Sequence, residues 1–324
     1  MSPELFRDLV AQAILAPSVH NVQPARWRLD GEAVHLFEDT RVRLACADPT
    51  GHDAAISLGA AFEGFALAAA DIGLHAEALP MDATPDTLRH VARISLRDGA
   101  APDPLSKTVV ARQSWRGAFA PPTDQDRDTA TALVTDDCAV VTDPAAIARI
   151  ATVVDDASFG FLAQRGFRDE LVSWMRLWSR HPRWSRDGLN APSMNLGLVE
   201  KIGAGIVMGP GFGVLNGVGL AKPLLAEAGK TQSAAGIVLF HRAVDEDPFD
   251  SGRAFYRAWL RIDAAGFGAA VLAALADDAD AAAEMIALAG VTSERRLVSA
   301  LRVGARPDHT PVARARLSVD DVLI

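Results

Sequence analysis

The chain has 324 residues, 49% of them hydrophobic, and a formal net charge of −9 with an isoelectric point near 5.4. This length supports a large core in two structural units, and the acidic balance excludes nucleic acid as a natural partner. Cys46 and Cys138 lie outside any C-x-x-C pair, so we expect two buried thiols in a reducing compartment. Residues 1–8 are charged and lead straight into a helical pattern. We therefore expect no signal peptide and a cytoplasmic location.

The first hundred residues predict helices, a hairpin and two further strands. The spacing of apolar residues predicts a helix over residues 3–15, which Ser2 can cap. Residues 53–72 are almost wholly apolar, which predicts a helix buried on all sides, and Gly73 is placed to end it. The other predicted elements are a hairpin over residues 26–37, strands over 75–79 and 91–96, and a proline-rich linker over 101–104.

The rest of the chain continues this alternation and adds an apolar segment over residues 202–221. This segment is uncharged and long enough to cross a bilayer, but its seven glycines and Pro210 disrupt a helix. We expect an apolar flap in a soluble protein, with no membrane partner. The other predicted elements are strands over 139–141, 234–241 and 297–303, and helices over 144–153, 161–179, 251–264 and 281–288.

The alternation of helices, strands and hairpins indicates an α+β fold. The two parts of the chain are loosely alike, because each has strands and a long helix that a glycine closes, Gly73 in one and Gly266 in the other. Residues 56–73 can be aligned with residues 257–266, and the two segments then show a similar sequence pattern. The sequence therefore predicts a degenerate tandem repeat.

An arginine segment, residues 112–116, carries the clearest chemical signal. Arg112 and Arg116 share a face with Ser114 if the segment is extended, and with each other if it is a helical turn. Two guanidinium groups and a hydroxyl suit a ligand with a phosphate and a planar, electron-rich acceptor. A solvated, arginine-rich surface turn is the alternative that spacing alone leaves open.

Four motifs together resemble the nitroreductase family, which binds FMN. They are Pro17-Ser18-x-x-Asn21-x-Gln23-Pro24, Arg112-x-Ser114-x-Arg116, Gly266-Phe267-Gly268 and Arg314-x-Arg316. The resemblance implies a nitroreductase-like fold with two pseudo-symmetric halves, each a mixed or antiparallel sheet flanked by helices. In ordinary members the arginine motif comes first and flavin lies at a homodimer interface. Here the order is inverted, which implies that one chain mimics the dimer and holds one FMN.

On this resemblance, residues 1–104 form a truncated first half that supplies the proline–serine loop. Residues 105–324 form the second half, with an apolar lid at about 201–222. The implied cofactor-binding residues are Pro17, Ser18, Asn21, Arg112, Gln113, Ser114, Arg116, Arg314 and Arg316.

The resemblance also implies a role for each group. Arg112, Ser114, Arg314 and Arg316 would bind the phosphate and ribityl chain, and the loop residues would contact the ring. Arg116 would be the catalytic residue, because a cation at the N1–C2=O edge of the flavin favours its reduction. A backbone N–H near Ala273 would approach flavin N5. The chain departs from the family's pattern at Ala25, where tryptophan is usual, at Val271, where proline is common, and at Ala273-Ala274, where Glu-Gly is common.

The implied function is FMN-dependent transfer of hydride from NAD(P)H to a small electron acceptor such as a nitroaromatic or a quinone. Flavin storage with little turnover is the alternative, since an apolar lid could exclude nicotinamide. A flavin-free scaffold is a third possibility. The eight histidines show no metal-ligand spacing, so no metal is expected. A monomer suffices if one chain mimics the dimer.

Overall fold

The computed structural model describes residues 1–81, 86–308 and 314–324. Within these ranges the α-helices are α1 Pro3–Ala13, α2 His52–Asp71, α3 Ser106–Val109, α4 Asp124–Thr131, α5 Pro144–Ala163, α6 Arg165–Trp174, α7 Leu198–Val207, α8 Phe212–Gly217, α9 Ala221–Leu225, α10 Ala228–Gln232, α11 Pro248–Ala264, α12 Ala274–Asp277, α13 Ala279–Leu288 and α14 Val319–Val322. The strands are β1 Ala25–Asp30, β2 Ala33–Asp39, β3 Leu74–Pro80, β4 Leu88–Asp98, β5 Cys138–Val141, β6 Met175–Arg176, β7 Leu189–Asn190, β8 Gly236–Ala243, β9 Gly268–Val271 and β10 Arg295–Gly304.

Eight of these strands form two four-stranded sheets, both antiparallel throughout. The first sheet has the order β1-β2-β4-β3 and the second has the order β5-β8-β10-β9. The two short strands β6 and β7 pair in parallel. The predicted α+β class with antiparallel sheets is confirmed. Strand order also matches between the two sheets, since in each one the first two strands along the chain are neighbours at one side and the last two at the other.

Helices α2 and α11 cross at the centre of the molecule with almost no space between their backbones. A Cβ atom added to Gly59 of α2 would lie 1.9 Å from the carbonyl oxygen of Phe249, and one added to Gly252 of α11 would lie 2.1 Å from that of Ile56. The contact is reciprocal, because each glycine faces the residue three positions before the other glycine. The helix predicted over residues 53–72 is therefore buried on the side that meets α11 as well as on the side that meets the first sheet.

Gly73 and Gly266 end these two helices with φ angles of +80° and +84°. Glycine is the residue that adopts this left-handed conformation without strain. The glycines at the crossing, Gly59 and Gly252, lie the same number of residues apart as the two closing glycines. The crossing glycine and the closing glycine are therefore 14 residues apart in both helices.

The C-terminal segment of the described chain returns to the first sheet. Leu323 forms a bridge with Trp27 of β1, and the backbone N–H of Ile324 donates to the Trp27 carbonyl at 3.0 Å. Trp27 is fully buried and stacks on Phe65 of α2, with 5.2 Å between the ring centroids. The C-terminal segment therefore packs against β1, the strand that follows the proline–serine loop.

The single helix predicted over residues 161–179 is wrong. The chain breaks at Gln164, which is extended, so α5 ends at Ala163 and a separate α6 follows. Arg168 stabilises the break by donating from Nη1 to the carbonyl of Leu162 at 2.7 Å. The prediction that both cysteines are buried is also wrong, because Cys46 is exposed and only Cys138 is buried.

Residues 202–221 fall within three short helices, α7, α8 and α9, and the turns between them. Many of their apolar side chains are exposed, including Ile202, Ile206, Val214 and Val218. Among the described residues, α2 is the helix that is long and apolar enough to cross a membrane, and 67% of that stretch is buried inside the protein. Its burial accounts for its apolar composition without a membrane.

The crossing of α2 and α11 can be tested with alanine. Gly59→Ala should destabilise the protein by about 2–4 kcal/mol, because the new methyl group overlaps the Phe249 backbone. Gly160→Ala is the matched control, since Gly160 lies in helix α5 with open space around its Cβ position. The control should raise stability by up to about 1 kcal/mol. Urea unfolding measures both, and equal effects would contradict the close crossing.

Candidate functional site

A cavity of about 470 Å³ brings the predicted site residues together. Its walls come from the loop before β1, from α2, from the segment before α4, from α11 and from the C-terminal segment. All nine predicted cofactor residues line it: Pro17, Ser18, Asn21, Arg112, Gln113, Ser114, Arg116, Arg314 and Arg316. Ala273, the residue expected to contribute a backbone N–H, lines it as well.

The arginine segment runs along an edge of the second sheet. Ser114 forms a parallel bridge with Ala269 of β9, and the backbone N–H of Trp115 donates to the Ala269 carbonyl at 2.8 Å. The extended form of the segment is therefore the correct one. Arg112, Ser114 and Arg116 line the cavity, as the extended form predicts, while Trp115 is buried in the core. Gln113 departs from this alternation, since it lines the cavity as well.

A buried arginine that the motifs do not include holds this segment in place. Arg302 of β10 donates to the carbonyl oxygens of Arg116 and Gly117 at 2.8 and 2.9 Å, and to that of Lys230 at 2.8 Å. Burial lowers the pKa of Arg302 to about 10. The sequence carries a signal for this residue, since an arginine in the middle of an apolar strand needs a specific partner.

The proline–serine loop adopts a strained conformation. His20, Asn21 and Gln23 have φ angles of 43°, 57° and 54°, a region that residues other than glycine seldom occupy. The loop is fixed by the Ser18 hydroxyl, which accepts from the Gln23 N–H at 3.0 Å. Each such residue costs about 1–3 kcal/mol, and clusters of them are typical of functional sites.

Asn21 and Gln23 bind the C-terminal segment. Asn21 Nδ2 donates to the carbonyls of Gly188 and Ala315, both at 3.0 Å, and Asn21 Oδ1 accepts from Arg316 Nη1 at 2.7 Å. Gln23 Oε1 accepts from the backbone N–H of Leu317 at 2.9 Å. Both amide hydrogens of Asn21 are thus engaged within the protein, and its side chain positions Arg316 beside the cavity.

Four guanidinium groups face the cavity, those of Arg112, Arg116, Arg314 and Arg316. They donate to backbone carbonyls and to Asn21: Arg112 to Leu15 at 2.9 Å, Arg116 to Ser193 at 3.0 Å, and Arg314 to Val110 at 2.6 Å. Within the described residues none of the four forms an ion pair. Burial lowers the pKa of Arg116, Arg314 and Arg316, and the pKa of Arg316 falls to about 9. For Arg314 and Arg316 the second cause is the positive charge of Arg112, which also lowers the pKa.

Two buried arginines away from the cavity, Arg26 and Arg176, have carboxylate partners, whereas Arg302 donates to backbone carbonyls. Arg26 contacts Asp39 at 2.9 Å, and Arg176 contacts Asp187 at 3.0 Å. By contrast, Nε and Nη1 of Arg112 and Nε of Arg316 are buried without a hydrogen-bond partner in the described part of the chain. Leaving buried charged donors unsatisfied is costly. The cavity therefore fits an anion that can accept from several guanidinium groups at once.

Aromatic side chains support Arg112 from behind. Its guanidinium carbon lies 4.7 Å from the Trp259 ring centroid and 5.6 Å from that of Tyr256, both on α11. Cation–π contacts of this kind orient a guanidinium without neutralising its charge. Arg112 is thus fixed by α11 while its charge stays available to the cavity.

Sequence reasoning missed the groups that complete the cavity. Carboxyl groups line it at Asp53, Asp277 and Glu227. Apolar side chains of α5 and α6 also line it, namely Phe161, Leu162, Phe167 and Leu171. Among the described residues, none from the predicted lid at 201–222 lines this cavity. The acidic residue inside the apolar pattern of α2, Asp53, was the signal that could have been read from the sequence.

Curated relatives point to one family. No protein-family model matches the chain. Rv3131 of Mycobacterium tuberculosis, provisionally named an NAD(P)H nitroreductase, is 35% identical over 74 residues, which is 23% of this chain and 22% of that protein. Acg of the same organism, also provisionally named an NAD(P)H nitroreductase, is 30% identical over 135 residues, 39% of each chain. The chain is similar to nitroreductases. The matches span about a fifth to two fifths of the length of these relatives.

Two solved structures resemble the chain weakly. The FMN-dependent nitroreductase NfnB from sphigopyxis sp. strain HMH matches with a TM-score of 0.35 and 16% identity, over 68% of this chain and 97% of that chain. NfnB from Mycobacterium smegmatis, solved in complex with NADPH, matches with a TM-score of 0.35 and 17% identity, over 67% and 90%. Similarities of this degree add nothing to the geometry of the cavity.

His20 makes the stability of the protein sensitive to acid. Burial lowers its pKa to about 4, so the folded protein keeps the ring neutral while the unfolded chain takes up a proton near 6.5. Stability should fall by about 1–3 kcal/mol as the pH drops from 6.5 to about 4. His20→Asn tolerates the left-handed backbone and cannot titrate. Urea unfolding across this pH range should show a smaller loss for the variant, and parallel curves would contradict the assignment.

Proposed function

We propose that the protein is an FMN-binding oxidoreductase of the nitroreductase type. The observation that carries the proposal is the set of four cavity arginines without an ion-pair partner among the described residues. The similarity to NAD(P)H nitroreductases supports the same class. Bound FMN would supply hydride chemistry, taking a hydride from NAD(P)H and passing it to a small acceptor such as a nitroaromatic or a quinone.

The donor set fits the phosphate of FMN. A phosphate monoester carries nearly two negative charges, and planar guanidinium groups match its oxygens in a bidentate manner. The unpartnered atoms belong to Arg112 and Arg316, so these two are the proposed phosphate ligands, with Arg314, Gln113 and Ser114 beside them. A cavity of about 470 Å³ is within the range of cofactor sites.

The remaining predicted residues would hold the ring. Arg116 is the proposed catalytic group, since a cation fixed at the pyrimidine edge favours the reduced, anionic flavin. Pro17 and Ser18 would pack against the ring from the other side of the cavity. Asn21 acts through Arg316, because its amide hydrogens are already bonded to backbone carbonyls. The backbone at Ala273 is the proposed contact for N5.

We also propose that one chain reproduces a nitroreductase dimer, with halves over residues 1–104 and 105–324. The equal strand order of the two sheets supports this proposal. So does the reciprocal contact of Gly59 and Gly252, because a two-fold axis brings equivalent residues into mutual contact. A monomer with one FMN is the assembly proposed on this arrangement, and the cytoplasm is the proposed location. A lid role for residues 201–222 stays a prediction.

Flavin storage is the competing function. Phe161, Phe167 and Leu171 of α5 and α6 give the cavity an apolar wall, and storage would require this wall to exclude a nicotinamide. Steady-state oxidation of NADPH with a nitroaromatic acceptor separates the two functions. Rapid turnover supports the reductase, whereas bound FMN without turnover supports storage.

The cavity arginines give a direct test of FMN binding. Arg112→Ala with Arg316→Ala should weaken FMN binding by about 1.5–3 kcal/mol for each side chain, because each donates charge-assisted hydrogen bonds to the phosphate. Titration calorimetry of the flavin-free protein with FMN measures the change, and riboflavin, which lacks the phosphate, should lose much less affinity.

Arg28→Ala is the control, since Arg28 is an exposed arginine on β1 that does not line the cavity. It should bind FMN like the unmodified protein. Unchanged FMN affinity in the double variant would show that the phosphate is held elsewhere. Failure of the unmodified protein to bind FMN at all would overturn the proposed function.

A further inference from the structure

The cavity has an acidic part that FMN binding does not use. Asp53 lies in the first turn of α2 and Asp277 at the end of α12, and both line the cavity. The Asp53 carboxyl group makes no hydrogen bond or ion pair with the described residues, and it is half-buried. Its backbone carbonyl accepts from Ser57 Oγ at 2.7 Å, which ties it to the helix turn facing the proline–serine loop.

The charged groups around Asp53 favour its protonated form. Asp277 faces it from α12 and Asp48 from the loop before α2, and the adjacent His52 points to Arg296, at 3.0 Å. The helix dipole at the start of α2 would favour a carboxylate. Burial has the largest effect, and the two neighbouring carboxylates add to it. Together they outweigh the helix dipole and raise the pKa of Asp53 to about 7. Asp48 is engaged separately, because its Oδ2 accepts from the N–H of Ala54 at 2.8 Å.

We propose that Asp53 is the acid that protonates the electron acceptor, a neutral quinone. The inference rests on the proposed function, and it adds a group to it. It follows from the position of an unpaired carboxyl group in the same cavity as Ala273, the proposed N5 contact. The four arginines cannot serve, because they retain their protons at neutral pH.

The step balances for a quinone. NAD(P)H loses a hydride and becomes NAD(P)+, and the quinone receives the two electrons and one proton of that hydride. The second proton comes from Asp53: its O–H bond breaks, an O–H bond forms on the quinone oxygen, and a hydroquinone leaves. Asp53 remains as a carboxylate and takes a proton from solvent. Asp277 lines the same cavity, and burial, followed by the charge of Asp48, raises its pKa to about 6.

The test compares Asp53→Asn with the unmodified holoenzyme in two separate half-reactions. Reduction of the bound flavin by NADPH should be equal in both, because this step needs no acid. Reoxidation by 1,4-benzoquinone should be at least about tenfold slower in the variant at slightly acidic pH. In the unmodified enzyme this rate should fall as the pH rises through about 7, and the variant should lack that dependence. Asp53→Glu should restore part of the rate.

A second measurement does not depend on activity. Infrared difference spectra of the flavin-free protein should show C=O bands of carboxyl groups that titrate near pH 7 and near pH 6, from Asp53 and Asp277. Asp53→Asn should remove the band that titrates near 7. Asp8→Asn, at an exposed site in α1, should change neither the spectra nor the rates. Reoxidation by Asp53→Asn at the unmodified rate and pH dependence would overturn the proposal, whatever the infrared result. If the unmodified protein does not bind FMN, or if NADPH does not reduce the bound flavin, the proposed function itself is contradicted, and the role of Asp53 falls with it. Either failure is seen before any quinone is added.

Discussion

The contact between α2 and α11 is the constraint on which the site depends. Two glycines, Gly59 and Gly252, let the helix backbones touch, so no side chain separates α2 from α11 at this point. The cavity lies beside that crossing, since Ile56 and Ser57 of α2 and Trp259 of α11 are among its walls. A wider spacing of the two helices would move the proline–serine loop away from the arginine segment. The close packing of two backbones thus determines the distance across the cavity.

Charge is distributed unevenly around this cavity. The folded chain keeps arginines near one another without carboxylate partners in its described part, an arrangement that destabilises the ligand-free protein. Such an arrangement is retained when a ligand supplies the missing charge. The acidic groups, Asp53 and Asp277, line the same cavity yet form no ion pair with these arginines. Glu227, the third carboxyl group at the cavity, acts on Arg116 by raising its pKa, although burial lowers that pKa overall.

Local signals in the sequence predicted local structure well. Ser2 caps α1 by accepting from the N–H of Leu5 at 3.2 Å, and the hairpin of β1 and β2 lies where its Asp30-Gly31 turn indicated. The break at Gln164 was missed because its cause is the donation by Arg168 to a carbonyl of the preceding turn. The spacing of apolar residues does not predict a hydrogen bond of this kind.

The site was predicted only as far as its motifs extend. The nine residues from three distant segments do line one cavity, but their roles toward a cofactor stay predictions. Asp53 stands out in the sequence as an acidic residue at the start of an apolar helix, but its position beside Asp277 could not be predicted, since Asp277 comes from another part of the chain. Arg302 was missed for the same reason, because its partners at Arg116 and Gly117 are nearly two hundred residues away.

The bond between Gln23 and Leu317 joins residues that are 294 positions apart. The ribosome completes the proline–serine loop long before it adds Arg314 and Arg316. Until those two residues are added, the growing polypeptide contains at most two of the four cavity arginines. Capture of an anionic ligand must therefore follow synthesis rather than guide it. During that interval Asn21 and Gln23 lack the C-terminal partners that they have in the folded protein.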